Sequence, residues 1–381
     1  MVNFCPKLLS TASSAFERQV STALHEFSHA LGFSARFFPL MRDEDGTPRT
    51  PRDQQGNPPT FTQGTCPNGN PISYYVEPAN TTITYATERN HVVAKMATPR
   101  VRAFVRDHFG CPTLEGAEIE SQDGGCLGSH WEERLFEPEY MTPVDSYRNV
   151  FSALTLAFFA DSGWYRVNAS TSEIMHFGRK KGCAFAKDKC VDVATQAPLD
   201  ADHFCTTSAF QGCSVDATSR SICNLAAANL TIPAEYQYFP SNPNKGGANR
   251  FADFCPLNVG YANGDCSISS NLIKLGTTTI NPFGETYCPN CKFDEDPSVP
   301  TAVKVTVPRS KTNDAVSVLR RPKPISVSRY YKSYQHPSAD YQRSSAYYHH
   351  SGSNYEHASE SYQYATNYYQ SANGSYQHAS V

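Results

Sequence analysis

The sequence predicts an α+β chain built around one amphipathic helix, with a loop-rich middle, a disulfide-rich C-terminal region and a disordered tail. Three observations carry this. Phe16, Val20, Ala23, Leu24, Phe27 and Leu31 recur at spacings of three and four, the pattern of a helix with one buried stripe. Nine of the thirteen cysteines fall within residues 171–297, where Pro and Asn are frequent and helical periodicity is scarce. From Ser333 onward the chain repeats a seven-residue unit of roughly Ser-Tyr-Gln-His-x-Ser-x.

Val2-Asn3-Phe4 is a short strand-like stretch stopped by Pro6, and Ser10 to Ser14 supply N-cap candidates for the helix. That helix carries His25-Glu26-Phe27-Ser28-His29. Positions four apart are neighbours on a helix, so His25 and His29 present two imidazoles to one point. Two neutral ring nitrogens there suit Zn²⁺, and Glu26, one residue along, is free to serve as general base. Gly32 ends the helix by accepting a left-handed backbone. The longer pattern H-E-x-x-H-x-x-G points to the metzincin peptidases. The place three residues after the Gly, where most of them carry a third His, holds Ala35 here. The third ligand must therefore come from elsewhere, and His91, His108, His130, His176 and His203 compete for the role.

Residues 36–90 read as loops with weak strands at Ile72–Glu77 and Thr82–Tyr85. Residues 91–109 are expected to form a helix broken near Pro99. A Gly-rich turn, Gly124 to Trp131, precedes Met141-Thr142-Pro143, with Trp131 read as packing. Asp145 or Ser146 then caps a helix from Tyr147 to Ala160, with Val150, Phe151, Leu154, Phe158 and Phe159 buried and Gly163 closing it. Cys288-x-x-Cys291 has no partner pair, so a disulfide is favoured over half a zinc site, and Cys5 is the natural orphan of an odd count. Residues 298–332 form a Pro- and Val-rich linker. In the heptads, Tyr334, Tyr341, Tyr348, Tyr355, Tyr362, Tyr369 and Tyr376 mark the one position that is aromatic in every repeat. A coiled coil needs two apolar positions per heptad, so disorder is expected.

The chain resembles the leishmanolysin (M8) family of metzincin peptidases. The resemblance rests on His25-Glu26-x-x-His29-Ala30-Leu31-Gly32-Phe33-Ser34, on Gly128-Ser129-His130-Trp131, and on Met141 in an x-Met-x-Pro turn. Asp161-Ser162-Gly163-Trp164-Tyr165, Gly182-Cys183-Ala184-Phe185 and Cys190 support it, and the likeness runs over roughly residues 1–290. It implies a metzincin-like zinc peptidase fold with a large insertion, ninety-seven residues between Gly32 and His130. It further implies His25, His29 and His130 as ligands of one catalytic zinc, Met141 as the apolar floor beneath the metal, and Glu26 as base for a zinc-bound water that hydrolyses peptide bonds. Two departures are expected to matter: the family carries a leader and an N-terminal part of the catalytic domain ahead of the zinc helix, and a further cysteine-rich domain near the end. The chain thus divides into 1–34, the end of an N-terminal catalytic subdomain with the active-site helix; 35–170, the insertion with the third ligand and Met turn; 171–297, cysteine-rich; 298–332, linker; and 333–381, the tyrosine heptads.

A formal net charge of −3 argues against nucleic acid as a partner, leaving protein or peptide substrates. Thirteen cysteines and Asn-x-Ser/Thr sites at Asn80, Asn168, Asn229 and Asn373 point to an extracellular or cell-surface glycoprotein. No signal peptide, transmembrane run or lipid-anchor signal is legible, and the chain is expected to lack its beginning. The alternative is a non-catalytic extracellular binding protein that keeps this scaffold and uses the tyrosine tail for adhesion or cross-linking.

Overall fold

The computed structural model describes residues 5, 9–11, 13–61, 63–67, 69–72, 74–121, 126–208, 211–216, 218–229 and 231–265. The Val2–Phe4 stretch, Cys266, Cys288 and Cys291, the linker and the tyrosine heptads lie outside these residues. Helix α1 spans Ser13–Ala30, where the periodicity places it. Its apolar stripe is not buried, however. Phe16 is 61% and Phe27 49% exposed, and Val20, Leu24 and Leu31 are exposed as well. Periodicity reports which residues share a face, not what covers it. The side of α1 turned into the molecule is the one carrying Ser28 and the two imidazoles.

Two nested ribbons follow, β1 (Thr60–Phe61) with β4 (Tyr75–Val76) and, inside them, β2 (Gly64–Thr65) with β3 (Pro71–Ile72). Strands β5 (Ile83–Glu88) and β6 (His91–Met96) form a hairpin paired from Ile83↔Met96 to Glu88↔His91. This corrects the expected helix over 91–96. Arg89 and Asn90 both take positive φ (51° and 71°), the two-residue loop whose twist matches a hairpin. The β-branched Val92 and Val93 suit a strand. Pro99 does not break a helix but starts one, occupying the first turn of α2 (Pro99–Phe109), where its missing N–H costs nothing. Strand β7 (Ala117–Ile119) completes the antiparallel meander β5-β6-β7.

After the short α3 (Glu133–Phe136), helix α4 runs only over Ala153–Asp161, not from Tyr147. Its cap is Ser152, whose Oγ accepts the Leu154 N–H at 3.1 Å. Residues 147–151 are drawn off into a bend and an isolated bridge between Val150 and Glu139. The Val150 N–H donates to the Pro138 carbonyl at 2.8 Å, and the Tyr147 hydroxyl donates to Asp265. Leu154, Phe158 and Phe159 are buried as expected, while Val150 and Phe151 are only half-buried. Beyond α5 (Gly182–Lys187), β8 (Gln211–Cys213), β9 (Ser219–Cys223) and β12 (Asn258–Asp265) form a second antiparallel sheet, and β10 (Leu225–Ala227) pairs with β11 (Lys245–Gly247).

One hydrophobic core runs from Phe33 to Leu257. Phe33, Trp131 and Phe158 meet, the Trp131 and Phe158 ring centroids lying 4.8 and 4.5 Å from that of Phe33, and the aromatic contacts continue through Phe136 to Phe109 and Phe185. Four disulfides, Cys66–Cys126, Cys111–Cys183, Cys190–Cys255 and Cys205–Cys223, staple the described residues. Cys5 is exposed and has no disulfide. Buried Arg89 pairs with Glu118 and, at 3.3 Å, with Asp253, tying the hairpin to the C-terminal segment. Burial pushes the Glu118 carboxyl up, but Arg89, Arg134 and Lys95 together outweigh it and hold Glu118 below its ordinary value. Among the described residues no helix is long and apolar enough to cross a membrane.

Candidate metal centre

The helix end determines where His29 points. The Gly32 N–H donates to the His29 carbonyl at 3.1 Å and the Phe33 N–H to the Ser28 carbonyl at 2.9 Å, the paired bonds of a Schellman turn. Gly32 takes φ +123°, and a Cβ there would lie 2.7 Å from the Trp164 ring. This turn swings the Phe33 carbonyl back beside the helix, where it accepts from His29 Nδ1 at 2.7 Å. His25 is oriented from further off: its Nδ1 donates to the Tyr140 carbonyl at 2.7 Å, and the Tyr140 hydroxyl meets Ser28 Oγ at 3.0 Å.

His130 arrives on the edge of the meander. The Glu120 N–H donates to the His130 carbonyl at 3.0 Å, and Ile119 bridges Trp131 in antiparallel fashion. The turn before it needs Gly128, because a Cβ there would lie 2.4 Å from the Glu120 carbonyl oxygen. Cys66–Cys126 anchors the same approach. Ser129 Oγ then accepts the Ala35 N–H at 3.1 Å. Ala35, where a contiguous motif would carry its last histidine, is thus stitched to the residue preceding His130.

The result is a three-imidazole cluster, with His25, His29 and His130 each offering a ring nitrogen within 4.8 Å of the others. The His130 ring centroid lies 5.2 Å from that of His25 and 4.9 Å from that of His29. Burial, then the positive charge the other imidazoles would carry, lowers the pKa of His130 well below its ordinary value. Burial and then His29 lower that of His25, against the pull of the Tyr140 carbonyl. His25 and His130 are therefore held neutral, the form that ligates metal.

A direct test of fit comes from the tautomers. With both Nδ1 atoms donating to carbonyls, the two Nε2 atoms of His25 and His29 carry the lone pairs. They face each other at 3.0 Å. Facing lone pairs repel unless a cation lies between them. Two nitrogens bound at the usual zinc distance in a tetrahedral site stand about 3.3 Å apart. The donor set and its spacing fit zinc.

Glu26 lies on the exposed side of α1, next to His25. Met141 is fully buried, and its carbonyl accepts the Trp131 N–H at 3.0 Å. It thus sits between the residue that orients His25 and the strand that delivers His130. The competing histidines are engaged elsewhere. His108 Nε2 meets the Phe177 carbonyl at 2.8 Å, His203 pairs with Asp200 at 2.7 Å, and His91 lies with Glu118 and Asp253. Sequence reasoning missed Tyr140, Ser129 and Glu139. The last is a fully buried carboxyl that burial pushes up to about 7, and its one visible signal is its place two residues before Met141.

A helix-borne pair of histidines completed by a third from a distant strand edge is the donor arrangement of a mononuclear metal enzyme. The chain belongs to the leishmanolysin family of zinc metallopeptidases. A profile of that family, described as leishmanolysin (peptidase M8), matches residues 76–305, which include His130 and Met141. A leishmanolysin-like peptidase of Caenorhabditis briggsae is 36% identical over 284 residues, covering 67% of this chain and 42% of its own length. One of Drosophila melanogaster is 38% identical over 289 residues, covering 67% and 40%. Leishmanolysin of Leishmania major is 29% identical over 277 residues, covering 72% and 39%. The chain thus spans about two fifths of the length of these relatives. The four disulfides fit an extracellular or surface location.

Proposed function

We propose that the chain carries the zinc site of an endopeptidase, with His25, His29 and His130 as the three protein ligands and Glu26 as general base. A zinc ion at this point supplies Lewis acidity, lowering the pKa of water and polarising a peptide carbonyl. Tyr140 and Phe33 hold the first two imidazoles in the ligating tautomer. Glu26 points to solvent beside His25, where its carboxylate takes a proton from the attacking water and passes it to the leaving amine. Water's oxygen ends on the acyl fragment, and the proton held by Glu26 leaves with the new amine. Met141 is read as the apolar floor under the ligands. The 97-residue span between Gly32 and His130 is read as an insertion in a metzincin-type architecture.

The observation that carries this reading is the 3.0 Å approach of two lone-pair nitrogens with His130 beside them. Family membership does not favour the non-catalytic alternative. The test is casein cleavage by zinc-loaded protein and by its Glu26→Gln variant. The variant is expected to keep its zinc and lose about 10² to 10⁴ of the rate. Near-normal cleavage by Glu26→Gln would overturn the assignment of the base.

A further inference from the structure

We propose that Glu139 is a positioning residue that acts on His25 through the single peptide unit joining Tyr140 to Met141, forming a carboxylate–peptide–imidazole relay. The two ends of that unit are held from opposite sides. Its N–H, from Met141, donates to Glu139 Oε2 at 2.6 Å. Its C=O, from Tyr140, accepts from His25 Nδ1 at 2.7 Å. A carboxylate on the N–H side draws positive charge onto the amide hydrogen and negative charge onto the carbonyl oxygen, so the bond to the imidazole strengthens. Metal-ligating histidines commonly donate to a carboxylate or a carbonyl, which fixes the ring and raises its basicity. Here both partners are used, one behind the other.

The Glu139 environment is built for an acceptor. Thr155 Oγ1 accepts the Trp131 Nε1–H at 2.9 Å, so its own hydrogen is free to donate to Glu139 Oε1, 2.6 Å away. Ser152 Oγ accepts the Leu154 N–H and likewise donates to Oε1, at 2.9 Å. Three donors thus converge on one fully buried carboxyl, which suits its ionised form. The same contacts lock the 139–141 turn to α4 and to Trp131, the residue after His130. His29 provides an internal control: its Nδ1 also donates to a carbonyl at 2.7 Å, that of Phe33, but the N–H of that peptide unit, from Ser34, donates to the Gly32 carbonyl at 2.9 Å and not to a carboxylate.

The consequence for metal binding rests on the zinc reading of His25. The experiment is ¹⁵N-edited NMR of the zinc-loaded full chain above about pH 8, where the carboxyl is ionised despite burial, comparing wild type with Glu139→Gln. The His25 Nδ1–H resonance is expected to move upfield while that of His29 stays in place, and zinc affinity to fall roughly tenfold or more. Equal movement of both resonances, or of neither, overturns the relay. Should Glu139→Gln not fold, Ser152→Ala removes a competing donor, so the Met141 bond tightens and the His25 resonance moves downfield. An unmoved resonance there also overturns it. A wild-type chain that takes up no zinc overturns the zinc reading and the relay with it, whereas one that takes zinc but fails the NMR test overturns the relay alone.

Discussion

Single residues here are shaped by burial as much as by their partners. His108 is a clear instance: burial pulls its pKa from 6.5 down to about 4, against the Phe177 carbonyl that would raise it. Because the folded value is depressed, His108 contributes full stability above about 6.5, lost as pH falls toward about 4. At about 1.4 kcal/mol per unit this is on the order of 3 kcal/mol. His108→Gln keeps a donor for Phe177 and removes the titration. The stability of wild type relative to this variant, from urea unfolding, should therefore fall across that acid range. A difference that stays flat with pH would contradict the account.

At the scale of elements, α1 combines a firm local design with an uncovered face. Its end is fixed by the Gly32 turn and its inner side by Tyr140 and Ser28, while Phe16, Val20, Leu24, Phe27 and Leu31 remain exposed. Phe27→Ser should therefore change the stability of this chain by about 0.5 kcal/mol or less, as for ordinary surface positions. A loss of 2 kcal/mol or more in thermal unfolding, the scale of burying a large side chain, would mean that the stripe is covered. The helix and its two histidines were legible in the sequence because period and motif are local. Strand β6 was misread because the Val92–Val93 run and the Arg89–Asn90 turn compete with a helix signal that properly belongs to α2. Residues 147–151 were misread because Val150 pairs with Pro138, a contact no helical pattern records. His130 was singled out by the Gly-rich turn before it and its short interval to Met141, but mainly through family resemblance. What brings it to α1 is the Glu120 pairing, the Gly128 approach and the Ser129 stitch to Ala35, all distant in sequence.

Across the whole molecule, the site hangs on long-range closure. Cys111–Cys183 spans 72 residues and joins the end of α2 to α5. Loops of this size contribute about 4 kcal/mol in the chain-entropy model, and removing a native bridge typically costs 2–5. Replacing both cysteines with Ser should lower unfolding stability by that amount, measured under oxidising conditions. An unchanged midpoint would show the bridge to be dispensable.

Three imidazoles, two from one helix and one from a strand edge ninety-eight positions past its Gly, are proposed to hold a single zinc ion. The most direct measurement is zinc titration of the metal-stripped chain beside its His130→Ala variant. The account predicts one zinc per wild-type chain and a large loss of affinity in the variant, since two protein ligands bind zinc poorly. Equal zinc uptake by both, or none by the wild type, would contradict it.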